Sequence, residues 1–288
     1  MRRGEWQRIR TGIYALSPID PGDPNAAAVA WRRRFAAEVC WGGNEAALSH
    51  RAAAFVYGLD GFLTPPPGRP EVSVPGRSAC RGAHVHRSNH LLPRVVVSDL
   101  PVVSPEICLL QLGQVCAPFG VEAALESALR HGITTVARVS EVAHGPLGRI
   151  EGGKVLRGIL RQRPIDADPT TNPLETSVLQ VMRGLGCRDI ERHVSLGAEP
   201  YSFVVRRRRL AVVCSPTNVG GQATIHDLGD TGWTVVEFGL RDLAAGSRSM
   251  AETVRNAIVR SQRLSARVRR LPDDTIEGIA GQAAGQAA

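Results

Sequence analysis

Three groups of residues in this chain have the types and spacing that chemistry uses. Ser49-His50 sets a hydroxyl beside an imidazole, the beginning of a nucleophile-and-base pair. No acid lies close enough in sequence to orient the ring, so the expected role of His50 is structural or phosphate-contacting. His84, His86 and His90 form an H-x-H-x-x-x-H run, with His84 and His86 on one face of an extended segment. A zinc ion would need a fourth ligand and closed geometry, which the run does not supply, so no metal is expected there. The third group is Arg206-Arg207-Arg208-Arg209, successive guanidinium groups between two apolar runs. Planar guanidinium forks suit phosphate oxygens.

The elements that must position these groups follow from pattern. Residues 201–205 and 210–214 are apolar, β-branched or aromatic and read as the two strands of a hairpin whose turn is the arginine run. Gly232–Phe238 supplies a further strand. Ahead of the hairpin a helix begins with Asn172 as N-cap, Pro173 at the first helical position and Glu175 two positions further on, the arrangement of a capping box. Glu175 thus has a structural role, and Leu174, Val178, Val181 and Leu185 form the buried face. A long helix follows over Thr253–Leu271, with Arg260, Arg263, Arg267 and Arg270 on one side and Val254, Ile258, Leu264 and Val268 on the other. That arginine side is read either as a solvated face or as a stripe that tracks phosphates.

Helix, hairpin, strand and helix outline a three-layer core like that of restriction endonucleases. The chain resembles actinobacterial proteins that join an AbiEi-type antitoxin region to a domain similar to very-short-patch repair endonucleases, of the PD-(D/E)XK class. In that class carboxylates on the hairpin hold a divalent metal that activates water. The matching positions here are Ser202, Val213 and Ser215-Pro216, and of the metal-site acids only Glu175 remains. The resemblance therefore implies a nuclease-like domain over 172–271 that has lost its metal site, with no catalytic residues and no cofactor. Glu237, Asp227 and Asp230 are the acids that could migrate into the site.

The same family resemblance organises the N-terminal part. Met1–Leu16 reads as two short strands around a turn at Arg10-Thr11-Gly12, similar to the wing of the AbiEi winged-helix domain, in which Arg2, Arg3, Arg8 and Arg10 would grip DNA. The helices that precede such a wing are missing, so either the domain is truncated or further codons lie upstream. A Pro/Gly/Asp-rich connector leads to a middle domain over 25–163. It opens with a helix at about 25–40 and a second helix over Asn44–Leu59, whose Ala-Leu-Ser-His-Arg-x-Ala-Ala phrase is the one most similar to the family. Strands are expected at Glu71–Val74 and Ala83–Arg87. Ser104 and Pro105 start a helix as N-cap and first residue, with Gln111 where the family has Asp. Gly120–His131 is a helix on which Glu122, Glu126 and Arg130 read as a solvent-facing charge ladder. A basic helix (Lys154, Arg157, Arg161, Arg163) and a loop at 164–171 close the domain.

Composition bounds the rest. With 288 residues the chain has room for two or three domains, 1–18, 25–163 and 172–271 on this reading, and a tail at 272–288 with little to pack. The balance of 35 basic against 27 acidic side chains favours a polyanionic partner, although a high-GC genome also produces such an arginine bias. Six cysteines without a C-x-x-C pair read as buried free thiols, which fits a reducing cytoplasm. No apolar run approaches the roughly 20 residues of a membrane span. The expected fold class is mixed α/β. The expected function, implied by the resemblance, is that of a DNA-binding transcriptional regulator or antitoxin, linked to a nucleotidyltransferase-like toxin without stable contact. The alternatives are a metal-dependent DNA endonuclease and a protein-interaction scaffold.

Overall fold

The computed structural model describes residues 6–268 apart from 17–18, 21, 79, 81, 83, 151, 164–166, 197–198, 219–222 and 229–230. The expected tail at 272–288 and Arg2, Arg3, Asp230 and Arg270 therefore lie outside the described residues, as does the side chain of Arg267. The chain divides into two compact units, Met1–Pro169 and Thr170–Ala288. Both are mixed α/β.

The first unit opens with an antiparallel hairpin, β1 (Trp6–Arg10) and β2 (Ile13–Leu16), turned by Gly12 at φ +80°. It packs on α1 (Ala26–Gly42). The expected helix at 44–59 is shorter. Ala47–Leu48 form strand β3, and α2 spans His50–Val56. Helix-forming composition yields here to tertiary pairing, because Leu48 is fully buried between Val72 and Val102 of its neighbours. Strands β4 (Val72–Pro75), β5 (Val85–Ser88), β6 (Arg94–Val97) and β7 (Leu100–Val103) complete a sheet of order β5-β4-β3-β7-β6. β4 pairs with β5 in parallel, as does β3 with β7.

Helices α3 (Pro105–Val115), α4 (Pro118–Arg130), α5 (Val136–His144) and α6 (Gly153–Gln162) cover a core that includes Phe35, Ile107, Leu109, Leu110, Leu125 and Leu156. Trp31, Phe35 and Phe55 meet edge to face with centroids 4.9–5.7 Å apart. α6 starts against α3, where a Cβ on Gly152 would collide with the Leu110 carbonyl and one on Gly113 with Gly152. Only glycine allows that approach.

The charge ladder expected on α4 is corrected by its burial. Glu126 is 1% exposed and accepts from Arg163 Nε at 3.2 Å, while Arg130 donates to Asp60 at 2.5 Å. Arg157 of the basic helix donates to the carbonyls of Ala143 and Gly148 at 2.8 and 2.7 Å. These charges hold elements together.

In the second unit α7 (Pro173–Gly184) precedes a sheet of β8 (Glu191–Leu196), β9 (Glu199–Val205), β10 (Leu210–Cys214), β11 (Thr224–Asp227) and β12 (Thr234–Phe238). Its order is β11-β12-β10-β9-β8, with β10 and β12 parallel. α8 (Leu240–Ala245) and α9 (Ser247–Val268) follow. The expected hairpin is β9–β10, and β12 lies within the segment read as the next strand. Strands β8 and β11 were not expected. Phe203, Val212, Val236 and Phe238 pack under α7 and α9. The opposite face gathers Tyr201, Val204, Ala211 and Val235, with no helical residue among the described ones.

All six cysteines are free. Cys108, Cys187 and Cys214 are buried as expected, Cys80 and Cys116 are half-buried, and Cys40 is exposed. Among the described residues no helix is long and apolar enough to cross a membrane.

Glu126 and Arg163 are both buried, and removing one side of such a pair is costly. Arg163→Met should therefore destabilise the first unit by about 3–5 kcal/mol, and the double change Glu126→Leu with Arg163→Met should recover most of it. Urea unfolding of the single and double variants checks this. A double variant no more stable than the single one would show that the pair is not what matters.

Candidate nucleic-acid interface and a buried histidine pair

The arginine run between β9 and β10 forms a 3-10 turn over Arg206–Arg208, and Arg209 closes it in the left-handed region at φ +46°. The turn is tied from several sides. Arg206 Nε donates to both oxygens of Glu191 at 2.7 and 3.0 Å, and Arg207 lies 4.0 Å from Asp189. Arg208 donates to the Gly186 carbonyl at 3.4 Å and Arg209 to that of Thr231 at 3.1 Å. Ser261 Oγ of α9 donates to the Arg208 carbonyl, which brings the arginines of that helix beside the turn. Arg260 forms a two-pronged pair with Asp227, at 2.7–3.0 Å, and Arg263 is exposed. Two arginine groups about fifty residues apart in sequence thus share one end of the unit. There Arg206 pairs with Glu191, Arg207 with Asp189 and Arg260 with Asp227, while Arg208 and Arg209 donate to backbone carbonyls.

In the first unit Arg8 is exposed and donates to Thr11 Oγ1 at 2.9 Å. Arg10 differs from its expected place on a DNA-gripping wing. It is 9% exposed, pairs with Glu38 and stacks over Trp41 at 3.4 Å from the ring centroid. Its charge is engaged inside the protein, because the carboxylate beneath it is itself buried.

The positions that the nuclease resemblance assigns to a metal site are occupied otherwise. Glu175 is 3% exposed. Its N–H donates to the Asn172 cap at 3.0 Å, and its Oε2 accepts from Thr171 N at 2.7 Å and contacts His193 Nε2 at 3.1 Å. The carboxylate therefore reaches the residue before the cap, where a capping box would bond the cap's own N–H. His193 takes φ +51°, and the β8–β9 pairing passes over it and Ser202. Ser202 Oγ accepts from Cys214 N at 3.1 Å, and Ser215 Oγ contacts Thr217 Oγ1 at 3.0 Å. Val213 has no polar atom to offer. Burial and the charge of Glu175 push the Cys214 thiol far up, which disfavours the thiolate. Glu237 is in register with Val213 and shares its face of the sheet, opposite Cys214. It sits 4.0 Å from His226, and Asp227 holds Arg260. One engaged carboxylate does not fit a divalent metal, which needs several anionic or carbonyl oxygens.

The first unit holds a denser cluster of ionisable groups. His50, at φ +50° where β3 passes into α2, is fully buried and stacks on His86 with centroids 3.6 Å apart. Its Nε2 lies 3.1 Å from Gln114 Oε1 and its Nδ1 3.0 Å from Ser49 Oγ, so both ring nitrogens have a hydrogen-bond partner. Burial, then the neighbouring His86, pushes the His50 imidazole down to about 4. Glu71 supplies the acid absent from the local sequence. It accepts from Arg51 N at 2.8 Å and Arg51 Nη1 at 3.1 Å, and lies 3.7 Å from His86 Nε2. That last distance is too long for a hydrogen bond. Burial pushes the Glu71 carboxyl up, but His86, His50 and Arg51 outweigh it and hold its pKa below the ordinary value.

The histidine run does not converge. His84 contacts Glu38 at 3.1 Å and stacks on Trp41, while His86 faces His50 and Glu71. Nothing in the local spacing pointed to Glu71, Gln111 or Gln114 as neighbours of these rings. Compared with protein-family models, curated proteins and solved structures, the chain matches none.

The His50 shift carries a pH dependence. Its ring titrates at about 4 in the folded chain against 6.5 otherwise, so the unfolded chain takes up the proton first. The stabilisation from keeping His50 neutral is complete above about pH 6.5 and falls away towards pH 4, by about 3 kcal/mol in all. His50→Asn, which tolerates the left-handed backbone, should lose less stability than the parent over that range in urea unfolding. Parallel pH profiles for the two proteins would refute the assignment.

Proposed function

We propose that the protein binds DNA through the arginine-bearing end of the second unit and acts as a transcriptional regulator or antitoxin-like protein, its nuclease-like domain without activity. The observation that carries this reading is the bond from Ser261 to the Arg208 carbonyl, which sets the α9 arginines beside the arginine turn. Guanidinium groups outnumber carboxylates there. Phosphates can replace the acids now paired with Arg206 and Arg207, since both pairs lie at the surface, where such contacts are weak. The resemblance to AbiEi-type regulators agrees with a DNA partner, and a restriction-endonuclease-like or winged-helix ancestry is part of the same proposal. Any link to a toxin would then run through shared gene control.

Binding should be mainly electrostatic. The logarithm of affinity should fall steeply with the logarithm of salt, and Arg206→Ala, Arg207→Ala and Arg263→Ala together should lower that slope by about one for each phosphate no longer neutralised. Fluorescence anisotropy of a labelled duplex over a salt series measures both. A slope that the triple variant leaves unchanged would move the interface elsewhere, and affinity indifferent to salt would favour the protein-interaction scaffold.

Cleavage is tested on supercoiled plasmid with Mg²⁺ or Mn²⁺. Neither the parent nor Glu175→Ala should nick it, because Glu175 is the one carboxylate at the family's metal position and its Oε2 is held by Thr171 and His193. Nicking by the parent that disappears in Glu175→Ala would restore the endonuclease reading.

A further inference from the structure

The first unit has a cavity of about 420 Å³ against its sheet. Ala47 of β3, Val74 of β4 and Val103 of β7 line it with side chains that are themselves buried, and residues 89–92, which join β5 to β6, form another part of its wall. Leu91 of that segment is 75% exposed. An apolar body seated in the cavity would take this leucine out of water, which is favourable in proportion to the area covered. The size, and a mainly apolar lining interrupted by a few polar groups, are those of small-molecule sites.

The charges narrow what fits. Glu45, Arg77 and Arg94 all line the cavity. Arg77 pairs with Glu45, so those two offset each other. Arg94 is exposed and has no acid partner among the described residues. Its Nη1 donates to the Asn44 carbonyl at 2.7 Å, which anchors the guanidinium and leaves Nε and Nη2 without a protein partner. Those two N–H groups lie side by side and match the two oxygens of a carboxylate. Ser88, Asn89 and His90, also in the lining, add no negative charge. One positive charge is thus left over, which a monoanion balances. The second charge of a phosphate monoester would have only the repulsion of Glu45 to meet.

We propose that this cavity binds a small organic monocarboxylate, its carboxylate gripped by the Nε and Nη2 edge of Arg94 and its apolar part laid against Leu91, Leu92 and Val103. The site uses none of the arginine contacts argued above for DNA, so it stands or falls separately from them.

The full-length chain is titrated by calorimetry with hexanoate and benzoate, and with acetate, hexanol and inorganic phosphate as probes that lack either the apolar part or the carboxylate. Hexanoate or benzoate should bind saturably and about tenfold or more tightly than any of those three. Arg94→Gln should weaken that binding about tenfold or more, through loss of the charge and of the two-pronged contact. Arg138→Gln, at an exposed arginine of α5 outside the cavity, should leave it unchanged. If Arg94→Gln does not fold, Leu91→Asp, at an exposed position of the wall, should weaken hexanoate binding in its place by removing apolar contact and adding a like charge. No saturable binding of hexanoate or benzoate overturns the proposal, as does hexanol or phosphate binding as tightly as they do. Binding that survives the variant that folds, or that Arg138→Gln weakens equally, overturns it as well.

Discussion

A carboxylate cannot be taken out of water bare, and that constraint runs through both units of this protein. Glu38, Glu71, Glu106, Glu126, Glu175 and Asp242 are all buried. Each is met by groups from elsewhere in the fold. Glu38 binds Arg10 of the hairpin and His84 beside β5, and Glu71 binds the start of α2 through Arg51. Glu106 accepts from Thr134 at 2.6 Å, and Glu126 ties α4 to Arg163 beyond α6. Asp242 caps α8 through Gly239 N at 2.8 Å and reaches Ala223 N, just before β11, at 3.0 Å. Arginines that a charge count would assign to solvent or to a polyanion are thereby drawn inward.

How much was legible depended on whether a feature is local. The β9–β10 hairpin, its arginine turn, the Asn172 cap and the Ser104-Pro105 helix start are written in consecutive residues, and the fold follows them. Strands β3 and β11 are short and owe their form to neighbours, and β8, though six residues long, is mostly polar and shows no apolar alternation to mark it. Ala47-Leu48 has helix-forming composition, and only pairing with Val72 and Val102 makes it a strand. Arg10 was legible as part of a hairpin. Its burial was not, because Glu38 and Trp41, which enclose it, lie on the next helix.

The candidate sites divide in the same way. Ser49-His50 and the three histidines were visible as chemistry without a partner, since the acid that acts on the rings comes from the residue before β4 and the amides from α3. The substitutions at Ser202, Val213 and Ser215 were visible once a metal-site pattern was laid over them. What the sequence withheld was that Glu175, the remaining acid, is turned to Thr171 N and His193. The Arg206–Arg209 turn is joined to α9 through the hydroxyl of Ser261, which no periodicity marks.

The arginine-bearing end has a further property that follows from its side-chain chemistry. Lys154, in the first unit, is the only lysine in the chain. Amine-directed acylation or cross-linking therefore finds no side chain to modify in the second unit, and the turn and α9 cannot be neutralised by lysine acetylation. Guanidinium also keeps its proton throughout the range in which proteins stay folded. The positive charge of those side chains does not vary with pH over that range, and three of them share it with the carboxylates of Asp189, Glu191 and Asp227.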